Sequence, residues 1–149
     1  MALGTAPDYA GTIVKYRALS ELADRTIDRT VVAASEDGLA QGQIAQMLDV
    51  SQAAVSKRLS KAERLPEQDS PYDIALRYRA GEFDQAEMLR RLIGWDYKPR
   101  PEGLVEQMVD VAESLDEVIR ANDRGFLTDE EYDTILHGIE ARGLQQPGS

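Results

Sequence analysis

The sequence predicts an all-α protein built from two parts. Apolar residues recur at intervals of three and four over most of the chain, and no segment shows the sustained alternation that is typical of a strand. Capping residues stand at the expected starts of several helices. A polar segment with two prolines, residues 65–71, interrupts the helical pattern. We therefore expect one helical domain over residues 8–65 and a second over residues 71–143, with residues 145–149 disordered.

The first predicted helix is long. Asp8 follows Pro7 and is a candidate N-cap, and apolar residues then recur at steps of three and four as far as Ala34. Glu36-Asp37-Gly38 ends the pattern. A break near Ser20 would divide this stretch into two helices.

Residues 41–64 predict two short helices that are joined by a tight turn. Ile44, Ala45 and Leu48 share one face of the first helix, and Ser51 is a good N-cap for the second. Asp49 stands in the turn where Gly is usual, and Asp tolerates a left-handed backbone better than most residues do. Small Ala45 would let the two helices cross closely. The apolar face of the second helix leaves amide, hydroxyl and basic side chains on its outer side.

This stretch resembles the helix-turn-helix of bacterial transcription regulators, and residues 51–65 are similar to the last helices of sigma-factor region 4. With the helix before it, the resemblance covers residues 20–65. It implies that the second helix enters the major groove of double-stranded DNA. The candidate DNA-binding residues are Ser51, Gln52, Ala53, Ser56, Lys57, Arg58, Lys61 and Arg64. The alternative is an ordinary helical hairpin in an all-α core, since the apolar spacing is the same.

The first predicted helix is longer than a three-helix DNA-binding unit requires. The surplus before Ser20 is therefore either a dimerisation arm or a cover for the back of the domain.

The second part predicts four helices, near residues 71–80, 84–95, 103–122 and 128–142. Two of its segments align at an offset of 44 residues: Gly81 and Gly125 each close a helix, and capping boxes start at Asp84 and Thr128. Two copies do not establish a repeat architecture, so we interpret them as two separately capped hairpins, with a duplicated hairpin as the alternative.

The net charge of −10 lies entirely in the second part. Residues 1–65 hold eight basic and eight acidic side chains, whereas residues 66–149 hold nine basic and nineteen acidic side chains. Lys57, Arg58, Lys61 and Arg64 cluster on the candidate recognition helix, opposed locally only by Glu63. We expect the acidic part to point away from DNA or to bind a protein partner.

Few residues suggest enzyme chemistry. The chain has no cysteine and a single histidine, His137, and neither a phosphate-binding loop nor a serine nucleophile elbow is present. Acidic residues 129–133 fit the first turn of a helix better than a calcium loop. We expect no enzyme activity, no cofactor and no metal. Trp95 and Tyr97 precede a Pro-x-Pro turn and are either core residues or anchors for a partner.

The sequence thus predicts a sequence-specific DNA-binding transcription regulator, dimeric, with an acidic C-terminal domain for assembly or a protein partner. No apolar stretch approaches the ~20 residues that span a membrane, and no secretory signal is visible, so we expect a cytoplasmic protein without membrane partners. Two alternatives stay open. One is an antitoxin-like or anti-factor protein whose acidic half binds a basic partner. The other is a helical adaptor that does not bind DNA.

Overall fold

The computed structural model describes residues 6–99 and 111–143, and these residues form an all-α structure. Within them there is no strand, which confirms the predicted fold class. The helices are α1 Tyr9–Glu36, α2 Gln41–Leu48, α3 Gln52–Ala62, α4 Pro71–Arg79, α5 Gln85–Ile93, α6 Leu115–Asp123 and α7 Asp129–Ala141.

The contacts divide the chain into two compact units. One unit comprises residues 21–68, and the other comprises residues 1–20 together with residues 69–149. The sequence predicts that residues 8–20 belong to the first part of the chain, whereas their contacts group them with residues 69–149. The predicted domain bounds, 8–65 and 71–143, stay a prediction.

Residues 21–68 fold around a small apolar core. Val31 of α1, Ile44 and Ala45 of α2, and Val55 of α3 are buried together, with Leu59 packed against them. The long first helix has no break at Ser20. These contacts hold α2 and α3 against the C-terminal part of α1, so the faces opposite the core are left to solvent.

The turn between α2 and α3 has the predicted backbone. Asp49 adopts a left-handed conformation, with φ 57° and ψ 48°, and the amide of Val50 donates to the carbonyl of Ala45. Ser51 is extended, and its hydroxyl oxygen accepts from the amide of Ala54 at 3.1 Å, which caps α3. The predicted left-handed residue and the predicted cap are both confirmed.

In the second unit, α4 packs against α5 and α6, and α7 also packs against α5 and α6. The largest fully buried side chains of these helices and their turns are Tyr72, Leu76, Met88, Leu92, Val118, Phe126, Leu127 and Ile135. The rings of Tyr72 and Phe126 meet edge to face at 6.2 Å, and the guanidinium of Arg17 lies over Phe126 at 4.9 Å. The N-terminal part of α1 therefore belongs to this core.

The two hairpins of this unit, α4–α5 and α6–α7, have the same construction. The starts of α4 and α6, and those of α5 and α7, differ by the same 44 residues. Gly81 and Gly125 both have positive φ, 93° and 85°. The side chains of Asp84 and Thr128 each accept from the amide three residues later, so both caps are confirmed. The full capping box is confirmed only at Thr128, whose amide donates to Glu131, whereas Glu87 pairs with Arg90 and Arg91 instead. The offset seen in the sequence thus extends to the starts of the helices.

A buried acid of α6, Glu117, joins this helix to the start of α4, where Asp73 is also buried. The Ser70 hydroxyl lies 2.5 Å from Oε1 of Glu117, and the amide of Ser70 donates to Asp73 at 2.8 Å. The amide of Tyr72 also donates to Glu117, at 3.2 Å. The first amides of a helix have no acceptor within the helix, so they can donate to side chains. At the start of α4 these amides donate to Asp73 and Glu117, which gives both buried carboxyl groups hydrogen-bond partners.

The structure contradicts part of the third predicted helix of the second part. The spacing predicted a helix over residues 103–122, but residues 111–114 are not helical, and α6 starts at Leu115. Glu113 has a φ of 60°, and the hydroxyl of Ser114 accepts from the amide of Asp116 at 3.1 Å. This turn and cap set the start of α6. Residues 103–110 lie outside the described residues.

Candidate nucleic-acid interface

The outer face of α3 is polar and basic because its apolar residues point inward. Val55 is fully buried, Ala62 is 4% exposed and Leu59 is half-buried. The remaining positions of the helix lie in solvent, except for Arg58, which is half-buried. Gln52, Ala53, Ser56, Lys57, Lys61 and Arg64 are all exposed, as the sequence predicts.

Five of these outward residues, together with Ser60, line one shallow, open depression, which we call the α3 surface. They are Ala53, Ser56, Lys57, Ser60, Lys61 and Arg64. Ser60 was not among the predicted residues. Its spacing could have indicated it, since it follows Ser56 by four residues and Ala53 by seven, and so lies on the same helical face.

The α3 surface has a basic edge. Lys57, Lys61 and Arg64 follow at intervals of four and three residues, which brings them to one side of the helix. None of the three forms an ion pair or a hydrogen bond with another side chain within residues 6–99 and 111–143. Their positive charges are therefore available to an anion outside the chain.

Arg58 differs from its neighbours. Its guanidinium NH1 lies 2.6 Å from Oδ1 of Asp28 on α1 and 3.8 Å from Asp24. The side chain of Asp28 is 4% exposed, so this carboxylate has little access to water and requires a cation. Arg58 was predicted to bind DNA, but in the structure it joins α3 to α1.

Ser51 and Gln52 occupy the N-terminal end of α3. The Ser51 oxygen accepts the capping bond, which leaves its hydroxyl hydrogen free to donate. A Cβ atom at position 42 would lie 2.8 Å from Nε2 of Gln52, so Gly42 leaves the space that this amide group occupies. Both side chains are exposed.

Trp95 and Tyr97, the two candidate anchors, lie just after α5 and are half-buried. The Tyr97 hydroxyl donates to the carbonyl of Leu92, and burial, followed by the charge of Glu117, raises the pKa of Tyr97 above its usual value. The indole nitrogen of Trp95 is buried and has no hydrogen-bond partner among the described residues. Trp95 borders a shallow groove with Ile74 and Arg91.

Other chemistry has little support in the described residues. They contain no group of three or more His, Cys, Asp or Glu side chains placed to hold a metal ion. No helix among them has the length and apolar character needed to cross a membrane. Comparisons with family models, with curated proteins and with solved structures found no significant match to this chain.

Proposed function

We propose that this protein is a sequence-specific DNA-binding transcription regulator that contacts duplex DNA through α3. The observation that carries the proposal is the unpaired basic edge of the α3 surface, on a helix that follows a left-handed turn and a serine cap. Two crossed helices with an exposed, polar second helix suit docking in the major groove, where an α-helix fits.

The side chains of α3 divide into two roles. Lys57, Lys61 and Arg64 are long and positively charged, so we assign them to phosphates, where they would position the helix. Gln52 and Ser56 lie towards its N-terminal end and can donate to and accept from base edges. Ala53 offers a methyl group that suits contact with the methyl group of thymine. Arg58 supports α3 through Asp28.

One such unit reads only a few base pairs, so we propose a dimer that binds two half-sites about one helical turn apart. The acidic second part repels a polyanion, and we assign it to assembly or to a protein partner. We propose no enzymatic role for either part.

The test is selection of the full-length chain on random duplex DNA, followed by titration of the selected site at several salt concentrations. Lys57→Ala should weaken binding to all sequences and reduce the slope of log affinity against log salt by about one unit, because one phosphate contact is lost. The matched control is Arg90→Ala, which removes one positive charge from α5 and should leave the slope unchanged. Gln52→Ala should instead relax the preference at one base pair, at about 1–3 kcal/mol.

The proposal fails if the folded full-length chain shows no salt-dependent binding to any duplex pool. A chain that binds a basic protein through its acidic half and is indifferent to Lys57→Ala would be the antitoxin-like or anti-factor protein. A chain that binds neither would be the helical adaptor.

A further inference from the structure

One face of α1 carries a heptad pattern that its own chain covers only in part, since Ile27 and Ala34 pack against the core of residues 21–68 and the other positions do not. The pattern consists of eight positions spaced alternately by four and three residues, a mean of 3.5, which is the period of paired helices in a left-handed coiled coil. We call these positions the α1 seam. They are Tyr9, Ile13, Tyr16, Ser20, Ala23, Ile27, Thr30 and Ala34. None of the eight is buried: six are exposed, and Ile27 and Ala34 are half-buried.

The start of the seam exposes large apolar side chains. Tyr9, Ile13 and Tyr16 are 69%, 60% and 62% exposed, although they follow one another at helical spacing. Large apolar residues that line up in solvent indicate an interaction site more often than isolated ones do.

The end of the seam lines a groove. Ile27, Thr30 and Ala34 border an apolar groove of about 200 Å³ together with Met47 and Leu48 of α2. Met47 is 68% exposed. The groove therefore offers apolar surface to a side chain that enters from outside the chain.

We propose that the occupant of this face is a second copy of the chain, and that the two α1 helices pair antiparallel through their seams. The inference deepens the proposed function by naming the surface that makes the regulator dimeric. In the register we assign, Tyr9 of each copy lies opposite Ala34 of the other.

The sizes of the side chains support this register. Antiparallel pairing opposes Tyr9 to Ala34, Ile13 to Thr30, Tyr16 to Ile27 and Ser20 to Ala23. Large side chains at one end of the seam thus meet smaller ones at the other end, where the groove lies, and two small residues, Ser20 and Ala23, meet at the centre. A parallel pair would oppose each tyrosine to its own copy and crowd one end, while leaving Ala34 opposite Ala34.

Charge supports the same register. Arg17 and Asp24 flank the seam on the same side, and this register brings Arg17 of each copy opposite Asp24 of the other. A shift by one heptad either way would oppose Arg17 to Arg17 or Asp24 to Asp24, which is unfavourable. A parallel pair would bring neither residue opposite a charged position of its partner.

Both flanking residues retain capacity for this contact. Arg17 donates through NH2 to the carbonyl of Arg124 at 3.1 Å and lies over Phe126, and its guanidinium has further N–H groups. The Asp24 side chain is 62% exposed, and it lies 3.8 Å from NH1 of Arg58, which is closer to Asp28.

The first test measures self-association of the full-length chain without DNA, by sedimentation equilibrium. Ile13→Glu should raise the dimer dissociation constant by about tenfold or more, because it places a charge in the apolar seam. The matched control is Ile119→Glu, the same change at a 38% exposed position of α6, which should leave association unchanged. A wild-type chain that is monomeric at every concentration, or a dimer that is indifferent to Ile13→Glu, overturns the proposal.

The second test determines orientation, and it uses the absence of native cysteines. A mixture of chains carrying Tyr9→Cys and chains carrying Ala34→Cys should form a disulfide under mild oxidation, whereas Tyr9→Cys alone should not. Cross-linking of Tyr9→Cys to itself would show a parallel pair and overturn the register.

A charge exchange checks the same contact without cysteines. Arg17→Glu should weaken the dimer, and the double variant with Asp24→Arg should restore it. A double variant no better than Arg17→Glu alone overturns the proposed contact. Since all these measurements are made without DNA, failure of the dimer leaves the DNA-binding proposal standing, and a dimer that does not bind DNA leaves the seam standing.

Discussion

The basic side chains of α3 and those of the four helices after residue 70 are used differently. On α3, Lys57, Lys61 and Arg64 form no ion pair with any residue in the described part of the chain. In the second unit, by contrast, Nε of Arg77 lies 2.5 Å from Asp69, and NH2 of Arg79 lies 2.6 Å from Glu131. The second unit therefore uses these cations for its own fold, while Lys57, Lys61 and Arg64 of the α3 surface face solvent.

Paired and unpaired cations should contribute to different properties, the paired ones to stability and the unpaired ones to binding. An internal pair that is partly shielded from water is costly to break, because the partner is left unpaired. A solvated lysine on a helix contributes little to folding, since exposed charges interact weakly through water. Substitutions in the two regions should thus affect different measurements.

Glu131 is the most connected carboxylate among the described residues of α7. It is 5% exposed and accepts from the amide of Thr128 at 2.9 Å, from Arg79, from the Tyr78 hydroxyl and from Gln85 at 3.2 Å. Burial alone would raise the pKa of Glu131, but the backbone donor and the three side chains outweigh it and hold this pKa below its usual value. Burial and the same carboxylate raise the pKa of Tyr78 to about 12, so Tyr78 remains a donor at neutral pH.

The largest effect is expected from Glu131→Ala, which should lower the free energy of unfolding by about 3 kcal/mol. The substitution leaves the Thr128 cap in place, but it removes the carboxylate that accepts from the Thr128 amide and leaves Arg79 and Tyr78 without their acceptor. Urea unfolding followed by circular dichroism measures it. Glu130→Ala, on the exposed side of the same turn, is the control and should change stability by less than about 0.5 kcal/mol. Equal effects of the two substitutions would show that the Glu131 network contributes nothing.

Arg58 belongs to α3, but we expect its substitution to lower stability, as substitution of the paired residues of the second unit should. Arg58→Ala should destabilise the protein by about 2 kcal/mol, because Asp28 is left buried without its cation, and the 31% exposure of Arg58 keeps the effect below that of a fully buried pair. Lys57→Ala is the neighbouring control and should change stability by less than about 0.5 kcal/mol.

Binding to the selected duplex separates the two residues further. Once the DNA titration is corrected for the unfolded fraction, Arg58→Ala should keep the salt dependence of the parent chain. If Arg58→Ala leaves stability intact and reduces the salt slope by one unit instead, Arg58 contacts a phosphate, and its pair with Asp28 is not its main role.

Local patterns in the sequence were sufficient to predict the turns and helix caps. They were insufficient to predict which charged side chains pair with each other. The left-handed turn at Asp49 and the caps at Ser51, Asp84 and Thr128 depend on neighbours within four residues, and all four are confirmed. The pairing of Arg58 depends on a carboxylate 30 residues away whose burial no local pattern reveals.

The same limitation applies to the start of α1. Its helical periodicity predicted the helix but not its packing partner. Ala18 is fully buried, and Arg17 lies over Phe126, more than a hundred residues away. A fragment ending at residue 65 would lack this core, which is why the binding tests use the full-length chain. DNA binding by α3 would depend on the side chains of its outer face. The sequence predicted the exposure of that face because burial follows the period of the helix.

The turn before α3 also differs from the turns of the second unit, and this difference gives the smallest expected effect. Gly81 and Gly125 take the positive φ after α4 and α6, whereas Asp49 takes it after α2. A Cβ atom makes this conformation less favourable, and the Asp49 side chain has no hydrogen-bond partner in the described part of the chain that would compensate. Asp49→Gly should therefore raise the free energy of unfolding by about 0.5 kcal/mol, partly offset by the greater freedom of glycine in the unfolded chain.

The converse substitution provides the control. Gly81→Asp places a Cβ atom at a φ of 93°, a value outside the region that Asp tolerates, and should destabilise by about 1–2 kcal/mol in the same urea experiment. If Asp49→Gly instead lowers stability by several kcal/mol, the carboxylate of Asp49 has a role in holding α2 to α3 that its backbone conformation does not explain, and the two kinds of turn are not interchangeable.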